Sequence, residues 1–341
     1  MKKNSIKIFL SAVAVLGIVM AFRMPKIAQS PASAQPAASS LTTTLFFAGD
    51  IMLSRNVDDK MVSAADFTLP FQTTAEVTRQ ADIAFANLES PFNSEGSHFV
   101  DGSLVFNADP KAIAGLKFAG FDILSTANNH TLDQGQLGLQ YTYNLLKENG
   151  ILAIGTTSSC HDGEVLTRNN IKFGFLAYSY TALNNGTHTT DPLVCDANDL
   201  NQVKTDISQL RTKVDVLIVS MHAGIEYTRT PDTLQKDFAQ TASEAGADFV
   251  IGAHPHWIQK PIEKINNKTW VFYSLGNFIF DQMWSQDTRE GLTLLASFSG
   301  KTLQKIELKP VIIDNFCCAR WANDDETKNI LEKLDLTSTT L

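Results

Sequence analysis

From residue 44 onward, short apolar runs alternate with longer stretches whose apolar positions recur at helical spacing, and small turn residues separate the two. The run 45–48 reads as a buried strand, stopped by Gly49 and followed by Asp50. A helix around 73–80 leads to a strand at 83–86, ended by Asn87-Leu88-Glu89. Pro110 opens a helix that Gly120 ends, the usual asymmetry of helix termini, and a strand at 121–126 follows. A helix over 137–148 stops at Asn149-Gly150 before a strand at 151–154. Segments 165–167 and 171–178 read as a hairpin around Asn169-Asn170. Next come a helix at 199–211 and a strand at 214–220. Pro231 then opens a helix with Leu234, Phe238, Ala242 and Ala245 on its apolar positions, and a strand at 249–251 follows. Strand-like segments near 258–265, 269–273, 292–298 and 303–313 close the series. Alternating strands and helices with a late run of strands predict an α/β fold with a largely parallel core and antiparallel edges.

The polar residues that interrupt this pattern recur in one kind of place. Asp50, Glu89, Asn129-His130, His222 and the pair His254/His256 each follow the C-terminal end of a predicted strand. In a parallel or mixed sheet those ends share one rim, where open α/β sheets bind ligands. His254 and His256 are two apart and on extended backbone would face the same way. Singly, Asp50 reads as a turn residue, Glu89 as a surface charge and Asn129 as a helix cap. As a set they offer two carboxylates, a carboxamide and several imidazoles, donors that suit one or two divalent ions of the Mn, Zn or Fe type better than Ca or Mg. Such a site lowers the pKa of bound water and polarises a phosphoryl or acyl oxygen. The chain has no Gly-x-Ser-x-Gly elbow and no Walker loop, and its cysteines lack a plausible base, so metal-assisted hydrolysis is the leading chemistry. His98 sits in a polar loop and His188 in one rich in Asn, Thr and Gly, and neither joins the set.

Charge narrows the partners. With a formal net charge of −8 and a pI of about 5.4, the 341-residue chain has no basic footprint for nucleic acid. Lys2 and Lys3 precede an apolar run over 6–22, closed by Arg23, Met24, Pro25 and Lys26, so residues 1–23 are expected to be an export signal or an uncleaved membrane anchor. A Pro/Ala/Ser-rich linker over 24–43 carries Ala32-Ser33-Ala34, which resembles a cleavage signature. The expected location is extracytoplasmic, membrane-anchored or secreted. The folded domain is placed at 44–313, and a polar C-terminal tail at 314–341 is expected to be loosely held. In an oxidising compartment Cys160 and Cys195 are candidates for a bridge or for incidental thiols, and adjacent Cys317 and Cys318 are expected to be poor partners.

Several motifs together resemble those of the CapA family of poly-γ-glutamate capsule biosynthesis proteins. They are Gly49-Asp50-Ile51-Met52, Ala81-Asp82 through Asn87-Leu88-Glu89, Ala127-Asn128-Asn129-His130, Gly252-Ala253-His254-Pro255-His256 and Tyr273-Ser274-Leu275-Gly276-Asn277-Phe278. That family is in turn similar to calcineurin-like metallophosphoesterases, so the resemblance implies a four-layer α/β/β/α sandwich with a dinuclear site. Carried over residue by residue, Glu89 resembles the bridging carboxylate. Asn129, His222 and His254 look like ligands of one metal, and Asp50 and His256 like those of the other. His130 matches the histidine that assists the leaving group, with Asn128, Asp133 and Asn277 on the substrate or supporting side. The chain has Met52 where phosphoesterases have a histidine, and Thr131 where they have an acid, so the second metal position is expected to be the weaker. The implied role is synthesis or export of capsular poly-γ-glutamate or a related surface polymer. The substrate would be a polyanionic polymer or a phosphate ester, the membrane would be met through the N-terminal segment, and capsule synthase subunits are candidate partners. A general extracytoplasmic phosphoesterase and a non-catalytic scaffold are the alternatives.

Overall fold

Adjacent residues of the first strand point to opposite faces, and both faces are apolar, so this strand must be covered twice. The computed structural model describes residues 42–94, 104–156, 159–180 and 193–341. The expected export segment 1–23, the linker up to residue 41, His98 and His188 lie outside these residues. No helix among the described residues is long and apolar enough to cross a membrane.

The first half of the described chain contains β1 (Thr42–Ile51), α1 (Arg55–Ala64), α2 (Ala75–Gln80), β2 (Ile83–Leu88), α3 (Ile113–Ala119), β3 (Ile123–Ser125), α4 (Gly135–Glu148) and β4 (Leu152–Ile154). After α5 (Ser159–Asp162) come β5 (Glu164–Arg168), β6 (Ile171–Ser179), α6 (Leu200–Arg211), β7 (Val216–His222), α7 (Thr233–Ala245) and β8 (Phe249–Ala253). The rest is β9 (Ile262–Ile265), β10 (Thr269–Phe272), β11 (Asn277–Ile279), α8 (Gln286–Arg289), β12 (Glu290–Ser299), β13 (Thr302–Asp314), β14 (Cys318–Trp321) and α9 (Asp324–Lys333).

One sheet runs β14-β13-β12-β1-β2-β3-β4, with β11 against the end of β1. Its strands β1 to β4 are parallel, whereas β12, β13 and β14 are antiparallel. The other runs β5-β6-β7-β8-β10-β9, parallel from β6 to β10 with antiparallel edges. Leu45 and Phe47 enter an apolar cluster shared by the two sheets, where Phe47 stacks on Phe249 at 5.7 Å and Phe85 on Phe175 at 6.0 Å. Phe46 and Ala48 face the other way, into a cluster with Val57, Met61, Leu116 and Leu146 from α1, α3 and α4. On the far side Leu217, Val219 and Val250 pack against Val203, Ile207 and Phe238 of α6 and α7. The result is the expected four-layer α/β/β/α sandwich. Each fully buried Phe or Leu contributes about 1.5–3 kcal/mol of apolar burial.

Three expectations are corrected. The C-terminal segment is not loose: β14 pairs with β13, and α9 inserts Ile330 and Leu331 into the inter-sheet cluster, joined by Leu334 just past its end. The last residues pair with β13 through Leu341 N–H to Ile306 O at 2.9 Å and Leu308 N–H to Thr339 O at 2.7 Å. Asn323 and Glu326 form a reciprocal capping box at the start of α9, a readable signal in a segment with few apolar residues. The segment 258–265 is extended only from Ile262, after Pro261, which has no N–H to donate. Finally, Cys317 and Cys318 are joined, as are Cys160 and Cys195, whose Cα atoms lie 5.1 Å apart.

Ile330 tests whether α9 is part of the core. Ile330→Ala should cost about 2–5 kcal/mol in urea unfolding, as expected for a buried aliphatic truncation. A loosely held tail would instead give a change within about 0.5 kcal/mol.

Candidate metal centre

Asp50 lies near the end of β1 and Glu89 directly after β2, in one sheet, whereas His222 ends β7 and His254 follows β8, in the other. Two glycines let backbone from the β10–β11 region reach these strands. A Cβ on Gly49 would stand 1.9 Å from Gly276 O, and one on Gly252 would stand 1.9 Å from Tyr273 O. Only glycine permits such an approach, and Asp50 N–H donates to Gly276 O at 3.1 Å.

The two histidines do not converge by strand alternation. β8 ends at Ala253, and His254 and His256 both have positive φ, 101° and 58°. That backbone is rare for residues with a side chain and is found where surrounding structure enforces it, often at functional sites. The rings lie 6.2 Å apart and serve different partners.

On one side, His222 Nε2 lies 2.9 Å from Asn129 Oδ1 and 3.2 Å from His254 Nδ1. Asn87 Nδ2 donates to Asp50 Oδ1 at 2.8 Å and faces His222 Nδ1 at 3.3 Å. This network assigns the His222 proton to Nε2, where it is shared by three ligand-type atoms; a cation would replace that proton. On the other side, His256 Nδ1 lies 2.9 Å from Asn277 Oδ1, and Asn277 is held by its own donation to Thr288 O. His256 Nε2 is thereby aimed at Glu89 Oε1, 3.7 Å away. Asp50 Oδ2 accepts the His254 N–H at 3.2 Å and stands 3.6 Å from His256 Nδ1.

His130 is fixed separately. Its Nδ1 lies 2.7 Å from Asp133 Oδ2, its ring stacks on Phe106 at 3.7 Å, and its Nε2 is 3.8 Å from Glu89 Oε1. Asn128 supports it by accepting the His130 N–H at 3.0 Å and donating to Leu88 O at 2.8 Å. Thr131 ties the turn through its hydroxyl to Thr126 O, so the acid that meets His130 is Asp133. Met52 is buried in the outer apolar cluster, its sulfur accepting the Ser54 N–H at 3.0 Å.

Burial dominates the electrostatics. Burial would raise Asp50, but the His256 and His222 imidazoles hold it well below the usual carboxylate range. Glu89 is pushed well above its ordinary value by burial and by neighbouring Asp50. Burial lowers His222 well below its usual range, helped by His254, and brings His254 down to about 3. His130 is also lowered by burial, against the opposing pull of Asp133.

The residues fit a divalent cation on a direct observation. Both carboxylate oxygens of Glu89 are buried without a hydrogen-bond partner. Ligand-type atoms of Asp50, Glu89 and His222 lie within 4.8 Å of one another. A buried acid that receives no N–H donor and whose polar neighbours are the Asp50 carboxyl and neutral imidazoles is what a metal would complete.

Sequence reasoning missed Asn87, although it lies near the end of β2, two residues before Glu89, where extended backbone would turn both the same way. It also missed the aromatic rim, where Tyr227 stacks on His256 at 5.9 Å and the exposed Trp284 meets Tyr227 at 4.7 Å. Missed too was Arg55, which follows the first motif after Leu53 and Ser54.

Comparison with known proteins places these features in context. The family described as bacterial capsule synthesis protein PGA_cap matches residues 44–282. The PGA biosynthesis protein CapA of Bacillus subtilis (strain 168) is 27% identical over 342 positions, covering 98% of this chain and 88% of that protein. The capsule biosynthesis protein CapA of Bacillus anthracis is 28% identical over 257 positions, covering 71% of this chain and 61% of that protein. Among solved structures, a phosphatase of Mycoplasma pneumoniae aligns with a TM-score of 0.51 at 14% identity, over 86% of this chain and 99% of that one, a likeness of fold.

Glu89 yields a test with opposite signs in two states. Its folded-state pKa lies above 4.5, so the stability it contributes is present below about pH 4.5 and is lost as pH rises. Metal-free Glu89→Gln should therefore be more stable than the metal-free parent at about pH 8, by about 1–3 kcal/mol. The gap should shrink toward pH 5. His254, lowered to about 3, makes both forms lose stability as pH falls below about 6.5. Added Mn²⁺ or Zn²⁺ should raise the melting temperature of the parent but not of the Gln variant. Equal metal-induced stabilisation of both would remove Glu89 from the ligand set.

Proposed function

The chain belongs to the bacterial capsule synthesis protein PGA_cap family, and from that premise we propose that it serves synthesis or export of capsular poly-γ-glutamate or a related surface polymer through a metal-dependent, hydrolase-type site. The family supports the polymer. The observation that carries the metal is Glu89, a fully buried carboxylate whose two oxygens have no hydrogen-bond partner and which faces the Nε2 atoms of His130 and His256.

In this reading Asn129, His222 and His254 would hold one cation and Asp50 and His256 a second, more weakly, with Glu89 available to either. A divalent cation held there supplies a Lewis acid and a bound water of lowered pKa. The side chains do the rest. Asn277 accepts from His256 Nδ1 and keeps Nε2 free for the site. Asp133 likewise holds the His130 proton on Nδ1 and leaves Nε2 to exchange a proton with a substrate oxygen. The apolar run over 6–22 supports an extracytoplasmic location with the domain tethered or released outside the membrane. A chain of net charge −8 repels a polyanion at long range, and cations at the site offset this locally.

The polymer role is tested by gene deletion with assay of the surface polymer. Deletion should reduce the polymer, and the parent gene but not Glu89→Gln should restore it. Unchanged polymer on deletion, with metal-dependent phosphatase turnover retained by the purified chain, would favour a general phosphoesterase.

The division of labour gives a second test. His130→Ala should keep its metal content yet lose about 10²–10⁴-fold in turnover, the range of a general acid or base. His254→Ala should lose metal by elemental analysis. Metal loss in both variants would make His130 a ligand.

A further inference from the structure

A guanidinium stands beside the centre with donors unspent. Arg55 opens α1, the helix that follows β1 after a short turn, at a left-handed backbone with φ of 53°. One of its terminal nitrogens pairs with Asp281 Oδ1. The other Asp281 oxygen accepts the backbone and side-chain N–H groups of Asn56 at 3.3 and 3.0 Å, so Asp281 anchors this turn with both oxygens. The Nε of Arg55 is buried without a partner. Its Cζ lies 4.7 Å from the ring centroid of Phe106 and 5.6 Å from that of Phe280. Phe106 is the ring stacked on His130, and Phe280 stands 4.8 Å from His256. The guanidinium therefore shares two aromatic neighbours with two histidines of the centre, and its side chain is 14% exposed.

We propose that Arg55 is the anion-binding residue of this site, receiving an oxyanion of the substrate, phosphate or carboxylate, beside the metal centre. The planar guanidinium fork matches both groups and loses little freedom when aromatic faces and a carboxylate already hold it. Nε is shut off from solvent, but the guanidinium is partly exposed, and its second terminal nitrogen, which has no partner among the described residues, offers a donor that a ligand oxygen would complete. A purely structural Arg55, serving only to tie α1 to Asp281, has no use for that donor. The assignment deepens the proposed metal-dependent reading and rests on it for the neighbouring chemistry, while anion binding is measured independently.

The test titrates inorganic phosphate, and separately a γ-linked glutamate oligomer, into the full-length Mn²⁺-loaded protein by calorimetry, with metal content determined for each variant. Arg55→Gln should weaken binding of the preferred anion by about 10-fold or more at unchanged metal content, with Arg55→Lys in between. Phosphate as the sole ligand identifies a phosphate ester class, and the oligomer as the sole ligand a carboxylate polymer. Equal affinity in parent and Arg55→Gln overturns the proposal, as does binding of neither anion by the parent. Should Arg55→Gln fail to fold, the double variant Arg55→Gln/Asp281→Asn removes both halves of the ion pair, and unchanged affinity there is equally fatal. Arg55-dependent anion binding by a chain that holds no metal would retain this inference and sink the metal reading.

Discussion

Two carboxylates withdrawn from water beside each other, Asp50 and Glu89, set the terms for the rest of the site. Like charges in a low-dielectric crevice cannot both ionise without compensation. Asp50 has it: the Asn87 amide, the His254 N–H and two imidazoles favour its charged form. Glu89 receives no such donor on either oxygen and meets the Asp50 carboxyl, so it is the one pushed toward its neutral form. The asymmetry turns a pair of acids into a site that asks for a cation, and the surrounding histidines are held neutral by the same burial.

Such a crevice needs two sheets, because one rim cannot enclose it. Asp50 and Glu89 come from strands of the first sheet, His222 and His254 from the second, and the aromatic stacks between Phe47 and Phe249 and between Phe85 and Phe175 hold the sheets in register. Part of the packing energy is spent on unfavourable backbone. His254 and His256 sit at positive φ so that one ring joins His222 and the other meets Glu89. Asn277, at the start of β11, then points the His256 ring nitrogens, and Asp133, in the turn before α4, points those of His130. The geometry gathers neutral imidazoles around a buried acid in a protein of net charge −8, where a bound cation would be the local positive pole. The imidazole-lined site, with Arg55 at its edge, provides the place for it.

The sequence by itself determined most of the framework. Runs of two-sided apolar residues marked the buried strands, Pro and Gly marked helix ends, and the recurrence of Asp, Glu, Asn and His after strand ends marked the rim. These are local properties, since each reports how a contiguous segment divides itself between water and core. The capping box at Asn323 and the strand phase linking Asn87 to Glu89 were also local and legible.

Tertiary structure alone decided the rest. Arg55 and Asp281 are 226 positions apart, and neither residue announces the other. The positive-φ backbone at His254 and His256 lies just past the end of β8, and no local pattern along the chain marks it. The polar C-terminal segment became core only because the open end of the sandwich could accept Ile330, Leu331 and Leu334. Which carboxylate is satisfied and which is left bare depends on where Asn87 and the His254 N–H lie in space. Hydrogen bonds act over about 3 Å and are blind to chain separation, so a pattern read along the chain predicts which residues reach the rim, and only the folded chain determines which of them pair.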